Sequence, residues 1–159
     1  MKLHTTRKPI LLVCQEVLPG SADEIVNQIL DLQNWSSFQG YGPLPGIKSA
    51  EFEVRNPEIL GTRIRVVNRD GSSHVETITA WRPGKQLQMT MNEFTPPLSK
   101  MATHFLEIWD FQPVEQGTQV TRRFELYPKT TLSSWSLWMI SFLLKQAVKR
   151  HLQQLKSGK

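Results

Sequence analysis

Residues 131–156 read TLSSWSLWMISFLLKQAVKRHLQQLK, and the spacing of their apolar side chains decides the fold. At about 100° per residue, one side of this segment forms a continuous apolar stripe, which predicts a single long helix. The stripe consists of Leu137, Ile140, Leu144, Ala147, Val148, Leu152 and Leu155. The opposite side is also apolar as far as Leu143, and it becomes basic and polar from Lys145 onward. The first half of the helix therefore carries more apolar surface than one core can cover.

The surplus apolar residues on the outer side of this helix need a second contact. They are Trp135, Trp138, Met139, Phe142 and Leu143. Beside Lys145 and Lys149 they are typical of a helix that meets a membrane surface or a second subunit. The structural alternative is a loop, Pro43–Pro45 or Pro96–Pro97, that folds over them. We expect a homodimer or a peripheral membrane contact through the first four of them unless such a loop intervenes.

The residues before the long helix alternate with the period of two that is typical of β-strands. A strand over 9–18 comes first, followed by a helix that starts at Ser21 with an S-x-x-E capping box and by a short helical turn over 34–38. Six strands separated by Gly- or Pro-containing turns then span 47–54, 62–68, 73–81, 86–93, 103–111 and 118–127. Such a meander must cover its apolar side, and the long helix is the natural cover. A curved sheet around one helix leaves a cavity between them, where ligands commonly bind.

The turn at Asp70-Gly71 predicts which side chains of the first hairpin face outward. As a two-residue hairpin loop, it places Arg65 opposite Glu76 on the solvent side of the sheet. The same alternation places His74 outside. An exposed pair of this kind contributes only about 0.2–1 kcal/mol.

The last predicted hairpin carries charged residues on its apolar side. Pairing Phe111 with Thr118 places Glu107 opposite Arg122 on that side. A carboxylate and a guanidinium that point inward are costly unless they are paired or solvated by a cavity. We interpret them as a polar anchor for a ligand head group. A register error of one residue, or a pair at the open end of the sheet, is the structural alternative.

The apolar candidates for the cavity wall come from the predicted helices and the inner side of the meander. Met89 and Met91 alternate with polar residues, and their flexible side chains suit an irregular pocket, although plain core packing explains them as well. The predicted ligand-binding residues are Trp35, Phe38, Met89, Met91, Phe105, Glu107, Trp109, Arg122, Phe124, Leu137 and Ile140.

Composition narrows the class of protein. With 159 residues, 39% of them hydrophobic and 21% charged, the chain is most simply one domain over 1–159. The net charge of +5 includes no run of five like charges and no nucleic-acid-binding motif, so we expect no nucleic-acid partner. The apolar run after Arg7-Lys8 is too short for a signal peptide, and the uncharged run over 130–144 is shorter than the roughly 20 residues of a spanning helix. We therefore expect a cytoplasmic protein.

The sequence predicts neither a metal site nor a nucleotide-binding site. His4, His74, His104 and His151 are isolated, and the single Cys14 lies in an apolar run, so neither a metal site nor a disulfide is expected. No P-loop, G-x-G-x-x-G or G-x-S-x-G motif occurs, and no cofactor is expected.

Several short motifs, in their order and spacing, resemble START-like and polyketide-cyclase-like proteins. They are Pro19-Gly20-Ser21-Ala22 with Ile29-Leu30-Asp31 and Trp35, Ile59-Leu60-Gly61-Thr62, Trp81-Arg82-Pro83 before Leu87, and Trp109-Asp110-Phe111 leading to Gly117-Thr118-Gln119-Val120. The resemblance covers nearly the whole chain. It implies an α+β helix-grip fold, in which a curved seven-stranded antiparallel sheet surrounds a long C-terminal helix and two short helices follow the first strand. Members bind lipids, sterols or polyketides, and some catalyse cyclisation or dehydration.

Two functions in addition to the surface contact follow from these observations. The leading hypothesis is the binding of a small hydrophobic or amphipathic molecule between the sheet and the C-terminal helix. The alternative is an enzyme of the cyclase or dehydrase type, which needs a general acid or base in the cavity. His74, His104 and Glu107 are the candidates for that role, and no residues match a cyclase's catalytic set.

Overall fold

The computed structural model describes residues 7–158, which form an α+β structure around one antiparallel sheet. The seven strands lie in the order β1-β7-β6-β5-β4-β3-β2. They are β1 (Ile10–Leu18), β2 (Ile47–Val54), β3 (Arg63–Asn68), β4 (Ser73–Arg82), β5 (Gln86–Asn92), β6 (Ala102–Val114) and β7 (Gly117–Pro128). The helices are α1 (Ala22–Leu30), a 3-10 helix (Leu32–Ser37), α2 (Leu98–Met101) and α3 (Thr131–Ser157). This is the predicted helix-grip architecture, with one additional short helix, α2, where the sequence predicts a loop.

The first strand lies at one edge of the sheet and the second strand at the other. β1 pairs with β7, so α1 and the 3-10 helix carry the chain across the end of the sheet before β2 begins. Ser21 caps α1 as predicted, because its Oγ accepts a hydrogen bond from the Glu24 amide at 3.2 Å, but the return bond from the Glu24 carboxylate that would complete the capping box is not formed within the described residues. α3 begins with a reciprocal capping box between Thr130 and Ser133.

α3 buries the predicted inner stripe against the sheet. Leu137 and Val148 are fully buried, and Ile140 and Leu155 are partly buried. The outer residues remain exposed, with Trp135 72% and Trp138 60% accessible. The alternative in which a proline-containing loop covers the outer residues is therefore wrong for Trp135, Trp138, Met139 and Phe142, whereas Leu143 is partly buried and lies beside the loop at Gly42. No helix within residues 7–158 is long and apolar enough to cross a membrane.

The register predicted for β3 and β4 is wrong by one residue. The connection has three residues, 69–71, instead of two, and Asn68 donates its amide hydrogen to the Ser72 carbonyl at 2.8 Å. Gly71 takes φ +87°, as a three-residue hairpin loop with glycine in the left-handed region requires. Ile64 is therefore opposite Glu76, and both point inward.

Two predictions about polar residues change with this register. Arg65 does not pair with Glu76 and instead forms an ion pair with Glu53 on the outer side. His74 also points inward, whereas the sequence pattern predicts an outward position.

The last hairpin differs from its predicted register by two residues, which preserves its faces. The loop is shorter than expected, since Val114 pairs with Gly117. Glu107 lies opposite Phe124, so Glu107 and Arg122 are diagonal neighbours instead of a direct pair. Diagonal neighbours on one face are within reach of long side chains. The prediction that both charged residues point inward is confirmed.

Candidate functional site

The main cavity lies between the sheet and the first half of α3 and has a volume of about 340 Å³. This is within the range of about 300–1,000 Å³ that is usual for small-molecule sites. Its apolar wall includes Met91, Phe105, Phe124, Ile140 and Leu144. The loop over 43–45 and the segment that leads into α2 complete the wall at one end.

A smaller cavity of about 70 Å³ adjoins the main one at the α1 end of the sheet. Trp35 forms part of its wall and is fixed by an indole N–H that donates to the Ile29 carbonyl at 2.6 Å. Met89 and Trp109 line it from the sheet. The residues that line both cavities are Phe38, Ile47, Glu76, Glu107 and Arg122. A buried polar group thus lies between two apolar spaces.

Arg122 is the centre of this polar group, although the residue is only 7% exposed. Its Nε donates to Glu107 Oε1 at 2.6 Å, and its Nη1 donates to His151 Nδ1 at 3.0 Å. Its guanidinium carbon also lies 4.4 Å from the ring centre of Trp109 and 5.3 Å from that of Phe124. Strands β6 and β7 and the last turns of α3 are therefore joined at one side chain.

A second polar pair faces the main cavity from β4. His74 Nε2 lies 3.0 Å from Glu76 Oε1, and Glu76 is only 4% exposed. The His74 ring packs against Phe94, which in turn packs against Phe105. The pair places an imidazole and a carboxylate within hydrogen-bond distance at the edge of the apolar space.

Burial shifts the pKa values of the two side chains bonded to Arg122 in opposite directions. It raises the pKa of Glu107, and the nearby Glu76 carboxylate adds to the rise, while Arg122 opposes it. Burial and the positive charge of Arg122 lower the pKa of His151 to about 3. Because arginine can only donate, the neutral His151 must accept at Nδ1 and carry its proton on Nε2. The raised pKa favours the protonated form of Glu107, and the lowered pKa keeps His151 neutral beside Arg122.

All the predicted ligand-binding residues except Leu137 line one of the two cavities. Trp35, Met89 and Trp109 line the smaller cavity. Met91, Phe105, Phe124 and Ile140 line the larger one, and Phe38, Glu107 and Arg122 line both. Leu137 is fully buried in the core and lines neither. That these residues bind a ligand stays a prediction.

The sequence pattern misplaces two polar residues of the site and does not identify a third. His74 and Glu76 were assigned to the outer side by the wrong turn length. The sequence pattern treats His151 as isolated, although on a helical projection it falls within the inner stripe of α3, between Ile140 and Leu144. A polar side chain within a buried stripe is the signal that could have identified it.

Two further features bear on the chemistry. His104, one of the acid–base candidates, lies away from both cavities: it is bonded to Thr103 and stacked on Tyr127 with ring centres 4.3 Å apart. Within residues 7–158, no group of three or more His, Cys, Asp or Glu side chains is placed to hold a metal ion.

Comparison with known proteins identifies the family. Residues 14–157 match the family described as polyketide cyclase / dehydrase and lipid transport. The chain belongs to this family. No curated protein matches the sequence.

Solved structures similar to this family member share its fold at low sequence identity. The protein TTHA0849 from Thermus thermophilus is 15% identical with a TM-score of 0.68, over 93% of this chain and 95% of that one. The di-domain ARO/CYC StfQ from the steffimycin biosynthetic pathway is 16% identical with a TM-score of 0.66, over 94% of this chain and 50% of that one. Ginseng major latex-like protein 151 from Panax ginseng is 13% identical with a TM-score of 0.57, over 91% and 98%. At these identities the likeness establishes the fold and leaves the ligand open.

Proposed function

We propose that this protein binds a small, largely apolar molecule with a polar end in the cavity between the sheet and α3. The observation that carries the proposal is the cavity of about 340 Å³, whose apolar wall ends at buried charged side chains. A ligand with apolar surface would remove this lining from water, which is favourable by about 25 cal/mol per Å² of apolar area. The family's description, which includes lipid transport, agrees with such a ligand.

The polar group supports a ligand with a neutral hydroxyl or carbonyl end. Arg122 already donates to Glu107 and His151, so its charge is largely compensated. Glu107 has a raised pKa, and in its protonated form the carboxyl can donate as well as accept. A ligand that carries a fixed negative charge would be repelled by the Glu76 carboxylate, which lines the same cavity. Apolar burial would supply most of the affinity, and the polar group would orient the molecule.

Binding of a neutral apolar fluorophore, N-phenyl-1-naphthylamine, tests the cavity. Ile140→Trp fills the cavity from α3 and should abolish binding, whereas Val54→Trp adds the same side chain at an exposed position and should leave binding unchanged. Trp138→Gln removes an apolar side chain from the outer side of α3, so unchanged binding in that variant excludes adsorption there. Wild-type affinity in a folded Ile140→Trp protein, or no binding to the wild type together with no small molecule in native mass spectra, would disprove the proposal.

The orienting role of the polar group has its own test. The double variant Glu107→Leu/Arg122→Met removes both charges together, so neither is left unpaired in the interior. We expect it to lose affinity for 1-decanol by about tenfold relative to decane, which corresponds to one hydrogen bond of about 1–1.5 kcal/mol. An unchanged ratio of the two affinities would show that these residues do not contact the polar end.

A second candidate function is catalysis of the cyclase or dehydrase type. The observation in its favour is that the His74–Glu76 pair and Glu107 face the same cavity, which provides a base and an acid. Dehydration of an aromatic β-hydroxy ketone to an ultraviolet-absorbing enone would measure such activity. We expect His74→Gln to reduce the rate by about 10²-fold or more, and His104→Gln, outside the cavity, to leave it unchanged. Equal rates in the two variants would exclude His74 as the base.

A further inference from the structure

The outer side of α3 carries a concentrated exposed apolar surface. Of the ten exposed large hydrophobic side chains within residues 7–158, five lie on this one helix, and each is at least 60% accessible. The other five are dispersed over strands and loops. We call the five on the helix the outer patch: Leu132, Trp135, Trp138, Met139 and Phe142. Contiguous exposed apolar surface with aromatic side chains indicates an interaction site.

The same side of α3 is basic immediately after the outer patch. Lys145 and Lys149 follow Trp138 and Phe142 along the helix at helical spacing. Neither lysine forms an ion pair with any residue in 7–158. The whole of α3, with 27 residues, contains no Asp or Glu. Arg150 adds a further positive charge on this side, next to the Tyr41 ring.

This combination favours an anionic lipid surface over a second copy of the chain. In a two-fold dimer through the outer patch, the basic ends of two α3 helices would lie within one interface with no acidic residue on either helix to offset them. Anionic headgroups offset the lysines, while the interfacial region of a bilayer accepts tryptophan and phenylalanine. An anionic bilayer can therefore bind both the outer patch and the basic residues that follow it on α3.

We propose that the outer patch docks this protein on anionic bilayers, with α3 parallel to the membrane surface. The patch enters the boundary between headgroups and acyl chains, and Lys145 and Lys149 contact the headgroups. Leu143, at the margin of the patch, lines the main cavity and lies 3.9 Å from the position that a Cβ on Gly42 would occupy. Docking would thus bring the cavity end formed by the loop over 43–45 next to the bilayer. Only this last point rests on the proposed function, since docking itself needs no ligand.

Vesicle co-sedimentation tests whether the protein binds anionic bilayers and whether the outer patch contributes to that binding. Phosphatidylcholine vesicles that contain phosphatidylglycerol should bind the wild-type protein, and pure phosphatidylcholine vesicles should bind it at least about tenfold more weakly. Trp135→Gln/Trp138→Gln should lose at least about tenfold in affinity, because each exposed indole contributes apolar area to insertion. Leu11→Gln/Val54→Gln removes exposed apolar side chains from strands and should bind like the wild type.

The lysines provide the matched electrostatic test. Lys145→Gln/Lys149→Gln should weaken binding to the anionic vesicles by roughly tenfold or more and reduce its salt dependence. Lys48→Gln/Lys85→Gln changes the net charge equally at exposed positions off α3 and should have less than about a twofold effect. If both pairs weaken binding equally, only net charge matters and the proposal is wrong.

Two other results would overturn the proposal. One is the absence of binding to anionic vesicles at low salt by the folded wild-type protein. The other is a dimer in sedimentation equilibrium that Trp138→Gln dissociates, because the occupant of the outer patch is then a second copy. Fluorophore binding to the cavity is measured without vesicles, so the outcomes for the ligand and for the membrane are independent.

Discussion

Acid should destabilise this protein through His151, and the structure gives the magnitude. The pKa of His151 is lowered from 6.5 in the unfolded chain to about 3 in the folded protein. Protonation would break its hydrogen bond with Arg122, because Nδ1 could no longer accept, and would place two cations side by side. A lowered folded pKa contributes stability that is fully present above about 6.5 and is lost as the pH falls toward about 3. Between about pH 8 and about pH 5, the linkage relation gives a loss of about 2 kcal/mol in the free energy of unfolding.

Urea unfolding followed by circular dichroism, repeated at both pH values, measures this loss. His151→Gln retains an oxygen that can accept from Arg122 but cannot titrate, so its free energy of unfolding should fall by about 2 kcal/mol less than that of the wild type. Glu107 has a raised pKa and acts in the opposite direction, since its contribution is present below 4.5 and is lost as the pH rises. That contribution is retained in both proteins, so their difference isolates His151.

His104→Gln is the matched control, because His104 lies outside the cavity and is less deeply buried. It should follow the wild-type profile more closely than His151→Gln does. If wild type and His151→Gln lose the same stability between the two pH values, His151 is not held neutral by burial and by Arg122, and the description of the polar group is wrong.

Three further substitutions test the buried ion pair, the core and the N-terminal cap of α3. Arg122→Met should cost about 3–5 kcal/mol in urea unfolding at neutral pH because it leaves Glu107 buried without its partner, and adding Glu107→Leu should recover much of that loss. Leu137→Ala should cost about 2–5 kcal/mol of stability while the folded protein retains fluorophore affinity, since Leu137 belongs to the core and lines neither cavity; reduced affinity would place it in the site. Thr130→Ala should cost about 1 kcal/mol by removing the acceptor for the Ser133 amide, and an unchanged melting temperature would show that the capping box adds nothing.

The sequence predicted the architecture well because its signals were long. The inner stripe of α3 runs from Leu137 to Leu155, about five turns, and a periodic pattern of that length identifies a helix without ambiguity. The meander was equally clear, since alternation continues from Ile47 to Tyr127. The short helix α2 was missed because a four-residue segment after two prolines has no periodicity to detect.

The site was predicted less completely because it depends on single-residue decisions. Glu107 and Arg122 were assigned inward despite a wrong register, since an error of two residues keeps each side chain on its face. An error of one residue in the turn before β4 moved His74 and Glu76 to the wrong side. The cavity's volume depends on how the loop over 43–45 and the segment before α2 pack, which no sequence pattern determines.

The three-residue turn over 69–71 has a consequence for the chemistry of the cavity. β4 presents His74 and Glu76 inward because the turn has three residues, and a connection one residue shorter would present Ser73 and Val75 instead. The same sequence paired through a two-residue turn would therefore exchange an acid–base pair for a hydroxyl and a methyl surface, without any substitution in β4. The pairing across this turn therefore determines the chemistry of this part of the cavity as much as the residues of β4 do.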